Sequence, residues 1–210
     1  MLQIINRIIS FTVIIPLIWC VINYKSIKDA KAISLLITAS FLTEFSALIA
    51  LTFFDFILYR IGLIYSAIEI VLISYFFLQS MEFKYKWQVI TLTTIIILYF
   101  ILAYFFSIGG IDIPYAITAI FELILTSIYL LSHSKNILNN WRFTIFFAFF
   151  QYNILAIGAF TTIDYIEKHQ ELLSYYHMLH SSANLLLYVF ITIGLIQCKK
   201  HFLKVSSLSR

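Results

Sequence analysis

The feature that most constrains this chain is the recurrence of apolar runs about twenty residues long, each bounded by charge, at 4–23, 32–54, 61–80, 88–107, 114–132, 143–163 and 172–197. A run of about 20 apolar residues matches the hydrocarbon layer of a bilayer, roughly 30 Å thick. Backbone N–H and C=O groups in hydrocarbon must find partners within the segment, so each run is expected to be a helix despite its many Ile, Phe and Tyr residues. Barrel strands would be shorter and would alternate apolar with polar, and no such alternation is visible. The composition agrees: of the 210 residues 62% are apolar and 11% charged, where soluble domains carry about 25% charged residues. A water-soluble fold would leave too much apolar surface in water. The expected fold class is therefore all-α, a polytopic transmembrane bundle of seven helices. Residues 1–198 form the transmembrane domain and 199–210 a short basic tail.

Charge sets the orientation. Lys25, Lys28, Lys31, Lys84, Lys86, Lys135, Arg142, Lys199, Lys200, Lys204 and Arg210 fall on one side of the seven runs, which is eleven of the fourteen basic residues. Arg7, Arg60 and Lys168 fall on the other, beside Asp55, Asp112, Asp164, Glu167 and Glu171. The positive-inside rule then places the N-terminus outside and the C-terminus in the cytoplasm, as a multi-pass protein of a bacterial inner (cytoplasmic) membrane. The net charge of +4 flanks helices, so anionic lipid headgroups are its expected partner and nucleic acid is not. With no small-residue cleavage site before Lys25, the first run is expected to be retained. Cys20 and Cys198, near the cytoplasmic ends of the first and last runs, read as small buried hydrophobes rather than a disulfide. Pro16 is expected to kink the first helix.

Against this apolar background the polar residues within the runs stand out. A charged side chain at the centre of a spanning helix costs of order 3 kcal/mol on insertion scales, so such residues mark function more often than ordinary polar ones do. Glu44 lies in the second run, Glu69 in the third, Glu122 in the fifth, Gln151 and Asn153 in the sixth, and His177, His180 and Asn184 in the seventh. At 1.5 Å rise per residue, Glu44, Glu69, Glu122, Asn153 and His180 all lie about 12–15 Å from the outer helix ends. Five helices thus contribute to one layer. Helical spacing extends these points into stripes: Gly62, Tyr65 or Ser66, and Glu69; Tyr115, Thr118, Glu122, Thr126 and Tyr129; His177, His180 or Ser181, Asn184 and Tyr188. The stripes should face the interior, and the first and fourth helices, which lack an ionisable residue at depth, should pack peripherally. The segment from Ile68 to Ser74 also resembles that from Phe121 to Ser127, each with a Ser five residues after a Glu.

The bland reading of these residues is structural, with neutral carboxyls hydrogen bonded to Ser, Thr or Tyr between helices. Three functional readings compete with it. The first is a ligand-binding or sensing bundle in which Glu44, Tyr65, Glu69, Glu122, Gln151, Asn153, His180 and Asn184 recognise a small molecule, with a membrane or cytoplasmic protein partner taking the output. It implies no cofactor. The second is proton- or ion-coupled transport with the carboxyls as relay, although two prolines and five glycines leave little for broken helices. The third is metal-dependent hydrolysis within the membrane, in which His177, His180, Glu69 and Glu122 would hold zinc. Ser40, Glu69 and His180 resemble part of the site of membrane hydrolases related to alkaline ceramidase, but the His-x-x-x-His of that group is His180-x-x-x-Asn184 here. Retinal proteins are excluded because no Lys lies between Leu172 and Gln197.

Tyr65-x-x-x-Glu69, the similar helix around Glu122, the stretch from Trp141 to Tyr152 and His180-x-x-x-Asn184 together resemble a group of small seven-helix membrane proteins from Bacteroidetes-type bacteria. The resemblance covers most of the chain. It implies the fold and topology and assigns no activity.

Overall fold

A computed structural model describes residues 11–53, 58–81, 85–106, 112–133, 140–168 and 170–208. Among them are seven α-helices: α1 (Ile14–Asn23), α2 (Lys31–Phe53), α3 (Leu58–Ser80), α4 (Lys86–Phe106), α5 (Asp112–Ser132), α6 (Trp141–Lys168) and α7 (Gln170–Leu208). Five of these, α2, α3, α4, α5 and α7, are long and apolar enough to cross a membrane. Their outer faces carry the apolar side chains that lipid requires, with Phe105 73% and Trp87 74% exposed. The chain is an integral membrane protein by that measure, and its surroundings are a lipid bilayer.

The helices form a ring. Neighbours in space run α1, α2, α3, α5, α6, α7 and back to α1, while α4 packs mainly on the outside of α3. α4 also buries the smallest share of its length among the five long helices, as its lack of deep polar residues led us to expect. α1 differs from that expectation, because it bridges α2 and α7 and completes the ring. Lys199 of α7 donates to Asn23 Oδ1 at 2.8 Å and its Nζ lies 5.5 Å from the Trp19 ring centroid, which ties α1 to α7 at one end.

Three boundaries depart from the apolar runs. Pro16 stands third in α1, where its missing N–H has no helical acceptor to lose, and the preceding turn Phe11–Val13 is a 3-10 helix. Residues 1–10, before that turn, lie outside the described residues. α6 and α7 both continue past the apolar runs, through Asp164 and Lys168 and from Gln170, with only position 169 between them. At the other end α7 runs on through Lys199, Lys200 and Lys204 to Leu208, so the basic tail is the end of a 39-residue helix rather than a separate segment. Hydrophobicity marks where lipid ends; without a Gly or Pro to interrupt it, the helix itself has no reason to stop there.

The end of the bundle holding Ser80 and Trp141 carries a cluster of aromatic rings, beside a recess of about 420 Å³ lined by Gln79, Ser80, Tyr129, His133, Asn140 and Arg142. Phe76 of α3 lies 5.9 Å from Trp141 and 4.8 Å from Phe146, both of α6, and Phe146 stacks on Tyr129 of α5 at 4.1 Å. Phe77 meets Phe146 edge-on at 6.2 Å. Asn140 organises this end. Its Oδ1 accepts from the N–H groups of Arg142 (3.1 Å) and Phe143 (3.4 Å) as the N-cap of α6, and its Nδ2 donates to Tyr129 Oη at 3.1 Å. Cys20 and Cys198 are both free and buried.

Candidate functional site

Towards the opposite end the ring encloses a second space. A cavity of about 280 Å³ lies among five helices. From α2 it is lined by Ser40, Thr43 and Glu44, and from α3 by Tyr65 and Glu69. Tyr115 of α5 and Tyr152 of α6 enter from the other side, and α7 supplies Tyr176, His180, Asn184, Leu187 and Tyr188. The α7 contribution alone runs from Tyr176 to Tyr188, about 18 Å of helix at 1.5 Å per residue. For comparison, an apolar cavity of about 150 Å³ holds benzene. This one has room for a larger molecule.

Local sequence explains why these groups point inward. Tyr65 and Glu69 are four residues apart and share one face of α3, so the phenol reaches its neighbour's carboxyl: Tyr65 Oη donates to Glu69 Oε1 at 3.0 Å. On α7 the same spacing joins His180 and Asn184, whose Nε2 and Nδ2 are 3.2 Å apart. His180 is held between two rings, stacked with Tyr176 and tilted against Tyr152, each at 6.4 Å. Gly62, one turn before Ser66, lets the Tyr115 hydroxyl of α5 lie directly against the α3 backbone, where any Cβ would overlap it. Both carboxyls, Glu44 and Glu69, lie within electrostatic reach of Tyr152 and Tyr188.

A short hydrogen-bond chain crosses from α3 to α2. Ser40 Oγ is 2.9 Å from Tyr65 Oη and donates to the Leu36 carbonyl at 3.0 Å. When Tyr65 donates to Glu69 and Ser40 to Leu36, no hydroxyl proton remains for the contact between them. A third proton on Glu69 completes the chain by reversing it, from Glu69 to Tyr65 to Ser40 to Leu36. The geometry therefore couples a proton on Glu69 to the orientation of the Tyr65 hydroxyl.

The structure brings together Glu44, Tyr65, Glu69, His180 and Asn184 around one cavity. It sets Glu122, Gln151 and Asn153 apart from it. Glu122 is 1% exposed and accepts from Asn153 Nδ2 at 3.0 Å through Oε2, while its Oε1 has no hydrogen-bond partner among the described residues. Asn153 is itself 1% exposed, and the Oε1 of Gln151 is buried without a partner. The equal depths read from sequence were therefore no guide to which face of α5 and α6 met the open space. The rest of the α5 stripe is buried as expected: Thr118 donates to the Pro114 carbonyl at 3.0 Å, Thr126 to the Glu122 carbonyl at 2.8 Å, and Tyr129 joins the aromatic end. The side chain of His177 lies outside the described residues. Among the described residues no group of three or more His, Cys, Asp or Glu side chains is placed to hold a metal ion. Of the four zinc ligands considered above, Glu69 and His180 face the cavity and Glu122 does not.

Thr43, Tyr152, Tyr176 and Leu187 complete the lining without having been singled out as site residues. Tyrosine is common throughout this chain, with 14 copies, so its presence on an inward face carries little signal until the helices are placed. Comparison with protein-family models, with curated proteins and with solved structures finds no match to this chain.

Proposed function

We propose that the protein is a seven-span receptor of a bacterial inner membrane that binds or senses a small ligand in the cavity between α2, α3, α5, α6 and α7. The N-terminus is outside and the C-terminus cytoplasmic, by the distribution of basic residues. That orientation places the cavity in the outer half of the bilayer. The observation that carries the reading is the cavity itself, which gathers carboxyl, imidazole, amide and phenol groups from five helices within a polar-lined space large enough for a small molecule. Binding rather than passage is favoured by the clustered rings of Phe76, Phe77, Phe146 and Tyr129 in the cytoplasmic half of the bundle, beside which lies the recess of about 420 Å³ lined by Gln79, Ser80, Tyr129, His133, Asn140 and Arg142.

The test is ligand-dependent stabilisation of the detergent-purified protein across a panel of small amines, sugars, carboxylates and lipids. A ligand at 100 times its Kd stabilises the folded state by about 2.7 kcal/mol. Thr43→Trp, which fills the cavity from α2, should abolish that stabilisation while the unliganded protein still unfolds cooperatively. If no member of the panel raises the melting temperature, or if the rise survives Thr43→Trp, this reading fails.

The hydrogen-bond chain from Glu69 to Leu36 supports a second reading, proton-coupled transport, since it can hold or release one proton at Glu69 by reorienting the Tyr65 hydroxyl alone. Substrate-driven proton uptake in proteoliposomes, lost in Glu69→Gln, would favour it over sensing.

A further inference from the structure

We infer that the ligand of this cavity is a small organic cation, an alkylammonium group held by Glu44 and enclosed by tyrosine rings. The inference deepens the binding reading and rests on it. Its first support is charge. Two carboxyls, Glu44 and Glu69, line the cavity, and among its described lining residues there is no Lys or Arg. In a membrane interior an unbalanced carboxylate is costly, and a cationic guest supplies the missing partner.

The second support is the state of the two carboxyls. Glu69 is engaged by Tyr65, whereas Glu44 forms no hydrogen bond with another described residue although it lies on the cavity wall. Its oxygens are the acceptors left for a guest. The third is the aromatic content. Tyr65, Tyr115, Tyr152, Tyr176 and Tyr188 reach the cavity from four helices, and ring faces around a carboxylate are the recurring environment of ammonium groups. Tyr65 is fixed through its hydroxyl and Tyr176 by stacking on His180, so these walls are preformed. The fourth is size. About 280 Å³ is far more than one bare ion fills.

The experiment compares three guests of nearly equal shape and different charge: choline, its neutral carbon analogue 3,3-dimethylbutan-1-ol, and the anion 3,3-dimethylbutanoate. Each is titrated calorimetrically into the full chain in lipid nanodiscs. The expected result is binding of choline, with the neutral analogue at least about tenfold weaker and the anion without measurable binding. Glu44→Gln should weaken choline binding by about tenfold or more, and Tyr152→Leu by several-fold, with the melting temperature of each unliganded variant checked alongside. Equal binding of the neutral analogue, preference for the anion, or unchanged choline affinity in a folded Glu44→Gln protein would overturn the inference and leave the binding reading standing. If none of the three binds, the inference also falls, and the broad solute panel then decides the binding reading on its own. The comparison of guests on the unaltered chain keeps the test decisive even if Glu44→Gln fails to fold.

Discussion

Asn153 and Glu122 show what a single buried contact is worth in this protein. The Asn153 amide is the donor that reaches the Glu122 carboxyl, and both residues are sealed from solvent and lipid. Asn153→Ala should therefore cost about 1–3 kcal/mol, because it strands an acceptor that already has one unpartnered oxygen. Thermal unfolding in detergent would measure it. Glu122→Gln should be milder, since an amide oxygen can still accept from Asn153. A reversed order would mean that Glu122 needs its charge. At the cavity, Tyr65→Phe removes the hydroxyl that links Ser40 to Glu69. About 1 kcal/mol of stability should go with it, and the affinity for any guest should change while that of Ser80→Ala, at the far end, does not. These roles were only partly legible from sequence. Spacing put Tyr65 beside Glu69 and His180 beside Asn184, because both pairs depend on one helix alone. Whether Glu122 faced the cavity or α6 depended on helix rotation, which no local pattern records.

Among the helices, close approach decides the packing. Gly194 of α7 lies against Ile145 and the Trp141 carbonyl of α6, and a Cβ there would come 3.2 Å from that carbonyl oxygen. The backbone cannot yield as a side chain can. Gly194→Ala should thus destabilise the α6–α7 pair by about 1–3 kcal/mol, read as a lower unfolding temperature, whereas Gly158→Ala, with nothing near its Cβ, should be neutral or slightly stabilising. Asn140→Ala removes the α6 cap and the tether on Tyr129 together. A loss of about 1 kcal/mol is expected from the cap alone, and Tyr129→Phe, which keeps the cap and removes the hydroxyl that Asn140 reaches, would separate capping from that contact. The seven helices were visible as apolar runs because the requirement for internal hydrogen bonds in lipid leaves few other options. Their ends were not, because α6 and α7 persist into polar sequence where no residue breaks them.

The placement of the whole molecule in its bilayer rests on the asymmetry of basic side chains, and it can be read chemically. Cys20 and Cys198 are buried, so background labelling of the native chain should be low. On the proposed orientation, Lys200→Cys, on the exposed end of α7, should react with a membrane-impermeant maleimide only after the membrane is opened. Reaction in intact spheroplasts would invert the topology and put the cavity in the cytoplasmic half. Fold class and bilayer residence followed from composition alone. The ring order did not: α3 meets both α4 and α5, and the ring passes to α5 while α4 stays outside, with Gly62 of α3 admitting Tyr115 of α5 at close range.

His180 and Lys204 belong to one uninterrupted α7, separated by about 36 Å at 1.5 Å per residue. A shaft of that kind conveys torsion without needing a relay of contacts. On the receptor reading proposed above, a twist imposed at His180 would reappear as a sweep of the cationic arms of Lys200 and Lys204, and a signal would leave the bilayer as rotation even with every loop standing still.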